Sequence, residues 1–286
     1  MPPRTAPRSR RPSVPPRLAL VVVAGLLAGT AGCGGVVDGR APAGGAPSHA
    51  SSAPAGKGSG EPLAGRVILL DPGHNPHNAG RAAQINRLVD VGNGRKPCDT
   101  AGTGTDGGYA EAEFTLDVVR RARRLLRAEG ARVVLTQDGD RPYGPCVDAR
   151  AAAGNRVHAD AAVSVHADGA PAGHRGFHVI APGRVRAGRA DTAAITAPSR
   201  ALGETLATRF EAATGEPRAD YVAGGSGLDV RTDLGGLNLS TVPKVFVECG
   251  NMRDPQDARR LTSAGWRQRA ARGIAAGLTK FLHGGS

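Results

Sequence analysis

Short runs of consecutive apolar residues, set between stretches of helical periodicity, restrict this chain to folds whose strands are covered on both faces. Val67–Leu70, Ala161–Val165 (broken only by Ser164) and Val245–Val247 are such runs. A sheet with one wet face would alternate polar and apolar residues instead. Strands alternating with helices call for an α/β domain of three layers, helices on both sides of an open sheet, mostly parallel or mixed. The expected strands are 67–70, 133–136, 161–165, 176–180 and 245–248, with 176–180 as the neighbour of 161–165. Helices are expected over about 110–129, 147–158, 198–214 and 264–282, with Gly-rich loops at about 75–108 and 223–236. Asp254-Pro255 supplies a cap and a first-turn proline for one more short helix.

The first sixty residues belong to a different regime. Arg4, Arg8, Arg10, Arg11 and Arg17 precede an apolar stretch, Leu18–Leu27, and small residues then lead to Thr30-Ala31-Gly32-Cys33. This is the layout of an export signal over 1–33, too short in its apolar part to stay in a bilayer as a helix. Cys33 after Ala-Gly has the pattern of a bacterial lipobox, which makes it the candidate lipidated first residue of a mature lipoprotein, with plain secretion as the alternative. Residues 34–62 are rich in Gly, Ala, Pro and Ser and read as a flexible tether. Residues 63–286 are expected to form a single folded domain. The expected address is the cell envelope, on the outer side of the cytoplasmic membrane when Cys33 is acylated.

Of the 37 basic and 25 acidic residues, seven and one lie in residues 1–60, so half of the net charge of +12 precedes the domain. The domain is moderately basic, which suits a polyanionic wall or membrane surface. There is no basic stripe with interleaved aromatics, so nucleic acid is not an expected partner. A monomer is expected. Besides Cys33 there are Cys98, Cys146 and Cys249. For an exported chain, one bridge between the two loop cysteines, Cys98–Cys146, and one buried thiol is the simplest count.

Chemistry concentrates at the strand ends. The first run leads into Asp71-Pro72-Gly73-His74, the second ends at His166 and the third at Glu248. In open α/β sheets, ligands gather at the carboxyl ends of strands. Counting three and four residues on from Glu111 reaches Phe114, Thr115, Val118, Ala122 and Leu125, so Glu111 lies on the buried stripe of its helix, whereas Glu113 shares a face with Asp117, Arg120 and Arg124. A carboxylate on a buried face needs a cation or strong donors. Two His and an inward Glu are a ligand set for catalytic zinc, with Asp71 as a candidate to orient His74. Glu248 is then the candidate general base. His77, His158, His174 and His178 have weaker cases, and His178 reads as a packing residue inside a strand.

With these residues laid out, the chain resembles the zinc-dependent N-acetylmuramoyl-L-alanine amidases, bacterial cell-wall hydrolases of the type-3 family. The resemblance covers about residues 64–284. It rests on Ile68-Leu69-Leu70-Asp71-Pro72-Gly73-His74, on Glu111 through Val118, on Ser164-Val165-His166-Ala167-Asp168, and on Arg231 through Asn238 with Val245 through Met252. It implies Zn2+ held by His74, Glu111 and His166, with Glu248 as the catalytic carboxylate. It also implies peptidoglycan as substrate, cut between N-acetylmuramic acid and the L-alanine of the stem peptide. Arg231 and Asn238 are weaker candidates for substrate contact. Asp168 stands where the family often has Asn, and the segment 75–108 is an insertion. Another zinc hydrolase on the same ligands, or a silent wall-binding lipoprotein, are the alternatives.

Overall fold

A computed structural model describes residues 61–284. The proposed lipidation site Cys33, the export signal and almost all of the proposed tether lie outside the described residues. In chain order the strands are β1 (Val67–Pro72), β2 (Leu88–Asp90), β3 (Arg95–Pro97), β4 (Arg132–Leu135), β5 (Ala161–Asp168), β6 (His178–Pro182), β7 (Arg186–Ala187), β8 (Ala190–Asp191), β9 (Leu228–Arg231) and β10 (Lys244–Asn251). The α-helices are α1 (Ala82–Ile85), α2 (Glu111–Ala128), α3 (Val147–Arg156), α4 (Ala193–Thr214), α5 (Gly235–Asn238), α6 (Pro255–Leu261) and α7 (Ala264–His283).

Six strands make one mixed sheet in the order β4-β1-β5-β10-β6-β9. All neighbours are parallel except β10 and β6. Side chains alternate across it. Ile68, Leu70, Val163, Val165, Val245, Val247 and Val179 pack under α2, α4 and α7 in the main core, where Trp266, Phe114 and Phe210 are buried. Leu69 and Ala162 face the other way, against Ala153 and Val157 of the α3 region. Both faces of the central strands are therefore dry, as the apolar runs require, and the sheet is mixed as expected.

The structure departs from the sequence reading in four places. The strand expected beside 161–165 is β6, but β10 stands between them and pairs with both. Strand order is a matter of packing between distant segments, which a local apolar run does not encode. The expected loop 75–108 carries α1 and the hairpin β2-β3, and 223–236 carries β9 and the start of α5. These elements have only three or four residues, too few for a periodicity to show. Finally, α4 begins at Ala193, ahead of Pro198. Thr192 O accepts from Ile195 N and Thr196 N and so closes a first turn before the proline.

Asp254 caps α6, its carboxylate accepting from Gln256 N at 2.9 Å and Asp257 N at 3.1 Å. Beside it, two carboxylates are buried together. Asp257 accepts from Gly176 N and Asn251 N, while Glu216 accepts both bonds of Arg260 Nη1 at 2.7 Å. Burial, and then the neighbouring Asp257, push Glu216 up to about 7 from 4.5, against the pull of Arg260. Between those values the folded chain holds a proton at Glu216 that the unfolded chain has lost, so this group makes stability fall as pH rises through that window. Glu216→Gln removes the effect. Its melting temperature relative to wild type should climb from pH 5 to pH 8; a flat difference would refute the assignment.

Candidate active site

Each functional side chain is delivered by the C-terminal end of a strand or the first turn of a helix. Beyond β1 the chain turns at Gly73, whose N–H binds Val165 O, and places His74 at φ 60°. That left-handed conformation is uncommon for a residue with a Cβ and is held only where the surroundings enforce it. Here Arg150 Nη2 at 2.8 Å and Gln137 Nε2 at 3.1 Å donate to His74 O. Glu111 is the first residue of α2 and is 4 % exposed. His166 extends from β5, its ring stacked on Phe246 of β10 with centroids 5.1 Å apart and planes 2° from parallel.

These three meet. His74 Nε2 lies 3.1 Å from Glu111 Oε2, and His166 Nδ1 lies 3.0 Å from Glu111 Oε1. One ligand atom from each of the three falls within 4.8 Å of the others, so the group is able to hold a metal ion. Backbone donors fix the carboxylate, Thr103 N at 2.9 Å and Ala167 N at 3.2 Å. Gly102, at φ +79°, passes so close that a Cβ there would lie 2.8 Å from Glu111 Oε2.

The far side of each ring is also partnered, which decides the tautomers. His74 Nδ1 faces Thr100 O at 3.1 Å and Asp99 Oδ1 at 3.3 Å. Nδ1 is therefore a donor to these oxygens, and Nε2, which shares its proton with Glu111, is the nitrogen that a cation displacing that proton would take. His166 Nε2 faces Ser164 Oγ at 3.2 Å, and that hydroxyl donates to Asp71 Oδ2 at 2.8 Å, leaving Nδ1 free. Burial depresses the basicity of His74, but hydrogen bonds and charge from Asp99 and Glu111 outweigh it and carry the imidazole up to about 10. Burial raises Glu111, and the two histidines overcome this and hold it far below the usual carboxylate range. A pocket that stabilises positive charge so strongly suits a cation, and the His2Glu donor set suits zinc.

Sequence reading brought Asp71 forward to orient His74, and the structure reassigns that contact. Asp71 is 1 % exposed and accepts from Arg150 Nη1 at 2.7 Å, Thr136 Oγ1 at 2.6 Å, Ser164 Oγ and Lys244 Nζ at 3.4 Å. It supports His166 through Ser164. The carboxylate at His74 is Asp99, supplied by the insertion and itself bound by Arg150 Nη2 at 2.9 Å. Nothing near Asp99 in the sequence marks it, whereas Ser164 shares the face of β5 with His166 by the period of two.

A disulfide joins Cys98 to Cys146, next to Asp99. Cys249 is a buried free thiol. Closing a span of 48 residues is worth about 4 kcal/mol by chain entropy. Replacing both cysteines by Ala should lower unfolding free energy on that scale and weaken metal binding through Asp99, measured by urea titration and zinc competition. Unchanged zinc affinity would show that Asp99 holds its place without the bridge.

Glu248 stands beside His166 in the β10–β5 register and is partly buried. Burial pushes its carboxyl well above the ordinary value, reinforced by Glu111 and Asp168 and opposed by His74 and Arg231. The other two candidates make protein contacts. Arg231 binds Asp233 through two bonds of 2.8 Å. Asn238 is 1 % exposed and donates to Asn93 Oδ1 and Thr232 O, tying α5 to the loop after β2. Beside the histidines a cavity of about 210 Å³ is lined by Pro97, Val147, Leu234 and Phe246, with the Lys96–Asp233 ion pair at 2.8 Å on its wall.

Comparison with known proteins agrees with this geometry. The family model described as N-acetylmuramoyl-L-alanine amidase, Amidase_3, matches residues 68–280. The N-acetylmuramoyl-L-alanine amidase Rv3717 of Mycobacterium tuberculosis is 40 % identical over 240 residues, 82 % of this chain and 91 % of that protein. The crystal structure of the N-acetylmuramyl-L-alanine amidase Ami1 from Mycobacterium smegmatis superposes with a TM-score of 0.72 at 41 % identity, covering 78 % of this chain and 99 % of that one. The apo Ami1 of Mycobacterium abscessus gives 0.70 at 41 %, covering 77 % and 100 %. With a family match across nearly all of the described residues, the chain belongs to the Amidase_3 family of N-acetylmuramoyl-L-alanine amidases.

Proposed function

We propose that this protein is a zinc-dependent peptidoglycan hydrolase that cleaves the amide between the lactyl group of N-acetylmuramic acid and the L-alanine of the stem peptide. The observation that carries the reading is the convergence of His74, Glu111 and His166, each with its remaining polar atoms partnered, beside a carboxylate of raised basicity. His74 through Nε2, Glu111 and His166 through Nδ1 would hold the zinc. When bound, zinc acts as a Lewis acid, activating water and polarising the scissile carbonyl.

The chain's own groups do the rest. Glu248 accepts the proton of the attacking water and returns it to the leaving nitrogen, a task suited to a carboxyl whose hold on a proton burial strengthens. Asp99 and the Ser164–Asp71 pair engage the outer nitrogen of each imidazole, so that Nε2 of His74 and Nδ1 of His166 are the nitrogens a bound metal would take. Arg150 binds Asp71 and Asp99 at once, so a single buried cation braces both supports.

We further propose that the protein acts in the cell envelope, anchored by acylated Cys33. Among the described residues no helix is long and apolar enough to cross a membrane. Palmitate labelling that persists in Cys33→Ala would refute this.

Zinc loading is expected to raise stability by about 4 kcal/mol at a thousandfold excess over Kd, read as a concentration-dependent melting temperature that chelation reverses. With muramyl dipeptide or purified peptidoglycan, the zinc form should release free peptide, identified by mass spectrometry. Cleavage within the peptide, or of an acetyl group, would move the protein to another class of zinc hydrolase.

A further inference from the structure

One straight row of three side chains crosses the sheet at the level of the active site. In the pairing of β10 with β5, Glu248 stands opposite His166; in the pairing of β10 with β6, it stands opposite His178. Val179, the next residue, packs in the main core beneath α4, so His178 projects from the other face, the one that carries Glu248, Phe246 and His166. Directly opposed residues of an antiparallel pair have Cβ atoms about 4.5–5.5 Å apart. Glu248 is therefore flanked by the metal-site histidine on one side and by His178 on the other.

His178 is 4 % exposed, and its Nδ1 is shut off from solvent with no hydrogen-bond partner. No group among the described residues hydrogen-bonds either ring nitrogen. A buried imidazole without a partner costs free energy that ordinary packing would avoid by placing Phe or Leu there. Its ring packs edge-on against Tyr221, with centroids 6.0 Å apart, and Tyr221 Oη donates to Asp168 Oδ2 at 3.0 Å. Burial favours the uncharged ring, which Asp168 and Asp229 oppose and Arg231 supports; the net effect is to lower its basicity. With Nδ1 enclosed, the row offers Nε2, which is neither enclosed nor hydrogen-bonded, as the accepting nitrogen on the side of Glu248 away from the metal ligands.

A trans amide points its C=O and its N–H in opposite directions. When the scissile carbonyl is turned toward His74, Glu111 and His166, its N–H is turned past Glu248 toward the next strand. We propose that His178 is a substrate-contacting residue whose unprotonated ring nitrogen accepts the hydrogen bond of the scissile N–H. This rests on the amidase reading above. As the C–O bond to water forms and the C–N bond breaks, the water's proton travels through Glu248 to the nitrogen, and His178 neither gains nor loses one. Its role is to hold the nitrogen's existing hydrogen, so that the developing lone pair faces Glu248.

The test compares muramyl dipeptide with an analogue carrying an ester oxygen in place of the scissile N–H. Wild type, His178→Phe, His178→Gln and Glu248→Gln are assayed on both, in the zinc-loaded protein. His178→Phe keeps the ring against Tyr221 and should lower kcat on the amide about tenfold, the scale of one lost hydrogen bond, with the ester rate unchanged and the melting temperature equal to or above that of wild type. His178→Gln, which retains an acceptor oxygen, should regain part of the amide rate. Equal slowing of amide and ester by His178→Phe, or a wild-type amide rate in that variant, would overturn the proposal while wild-type cleavage, lost in Glu248→Gln, upholds the amidase reading. Wild-type cleavage of a different bond would overturn both.

Discussion

Glu248→Gln is expected to slow release of the stem peptide by about 10²–10⁴-fold, the usual range for removing a general acid-base group. The substitution preserves the shape of the side chain and removes only its capacity to take and return a proton. Zinc affinity should be unchanged, because Glu248 lies outside the group His74, Glu111 and His166 that could hold a metal ion. Stability should stay level or rise. The carboxyl of Glu248 is held well above its ordinary value by burial and by Glu111 and Asp168, so its ionisation at neutral pH costs folding free energy that Gln does not incur. Turnover by mass spectrometry and melting temperature on the same sample check both halves. Substantial residual turnover would remove Glu248 from the mechanism.

Asp71→Ala should be the most destabilising single change in the active-site region, by about 3–5 kcal/mol, because it strands buried charge. Arg150 and Lys244 are 5 % and 1 % exposed, and both point at this carboxylate. Burial works against the Asp71 anion, but Arg150 and Lys244 outweigh it and hold its carboxyl far below the usual range. The stability it contributes is therefore present above the unfolded value of 3.8 and is lost as pH falls toward the folded one. Urea unfolding at pH 7 measures the loss. Adding Lys244→Met to Asp71→Ala should recover part of it by removing one stranded cation; no recovery would mean that the cost lies in the lost bonds to Thr136 and Ser164 instead.

His74, Glu111, His166 and Glu248, which the structure brings near one another, were legible as candidates because each announces itself locally. His74, His166 and Glu248 follow apolar runs at strand ends, and the periodicity of one helix separates Glu111 from Glu113. The supports were not legible. Asp99 is an unremarkable loop residue, and it reaches His74 because the insertion, tied at Cys98 to Cys146, folds back over the end of β1. His178 read as packing because its meaning depends on which strand lies beside it, and β10 took the place expected for β6.

The chain's sequence alone specified the layers, the dry strands and the chemistry at their carboxyl ends, since burial on both faces and helical spacing are written in neighbouring residues. Tertiary structure alone decided the strand order, the brace of Asp71 and Asp99 by Arg150, and the row His166–Glu248–His178. Those contacts join segments separated by fifty or more residues. Their partners are chosen by how buried charges and strand edges are satisfied together, a condition no local pattern records.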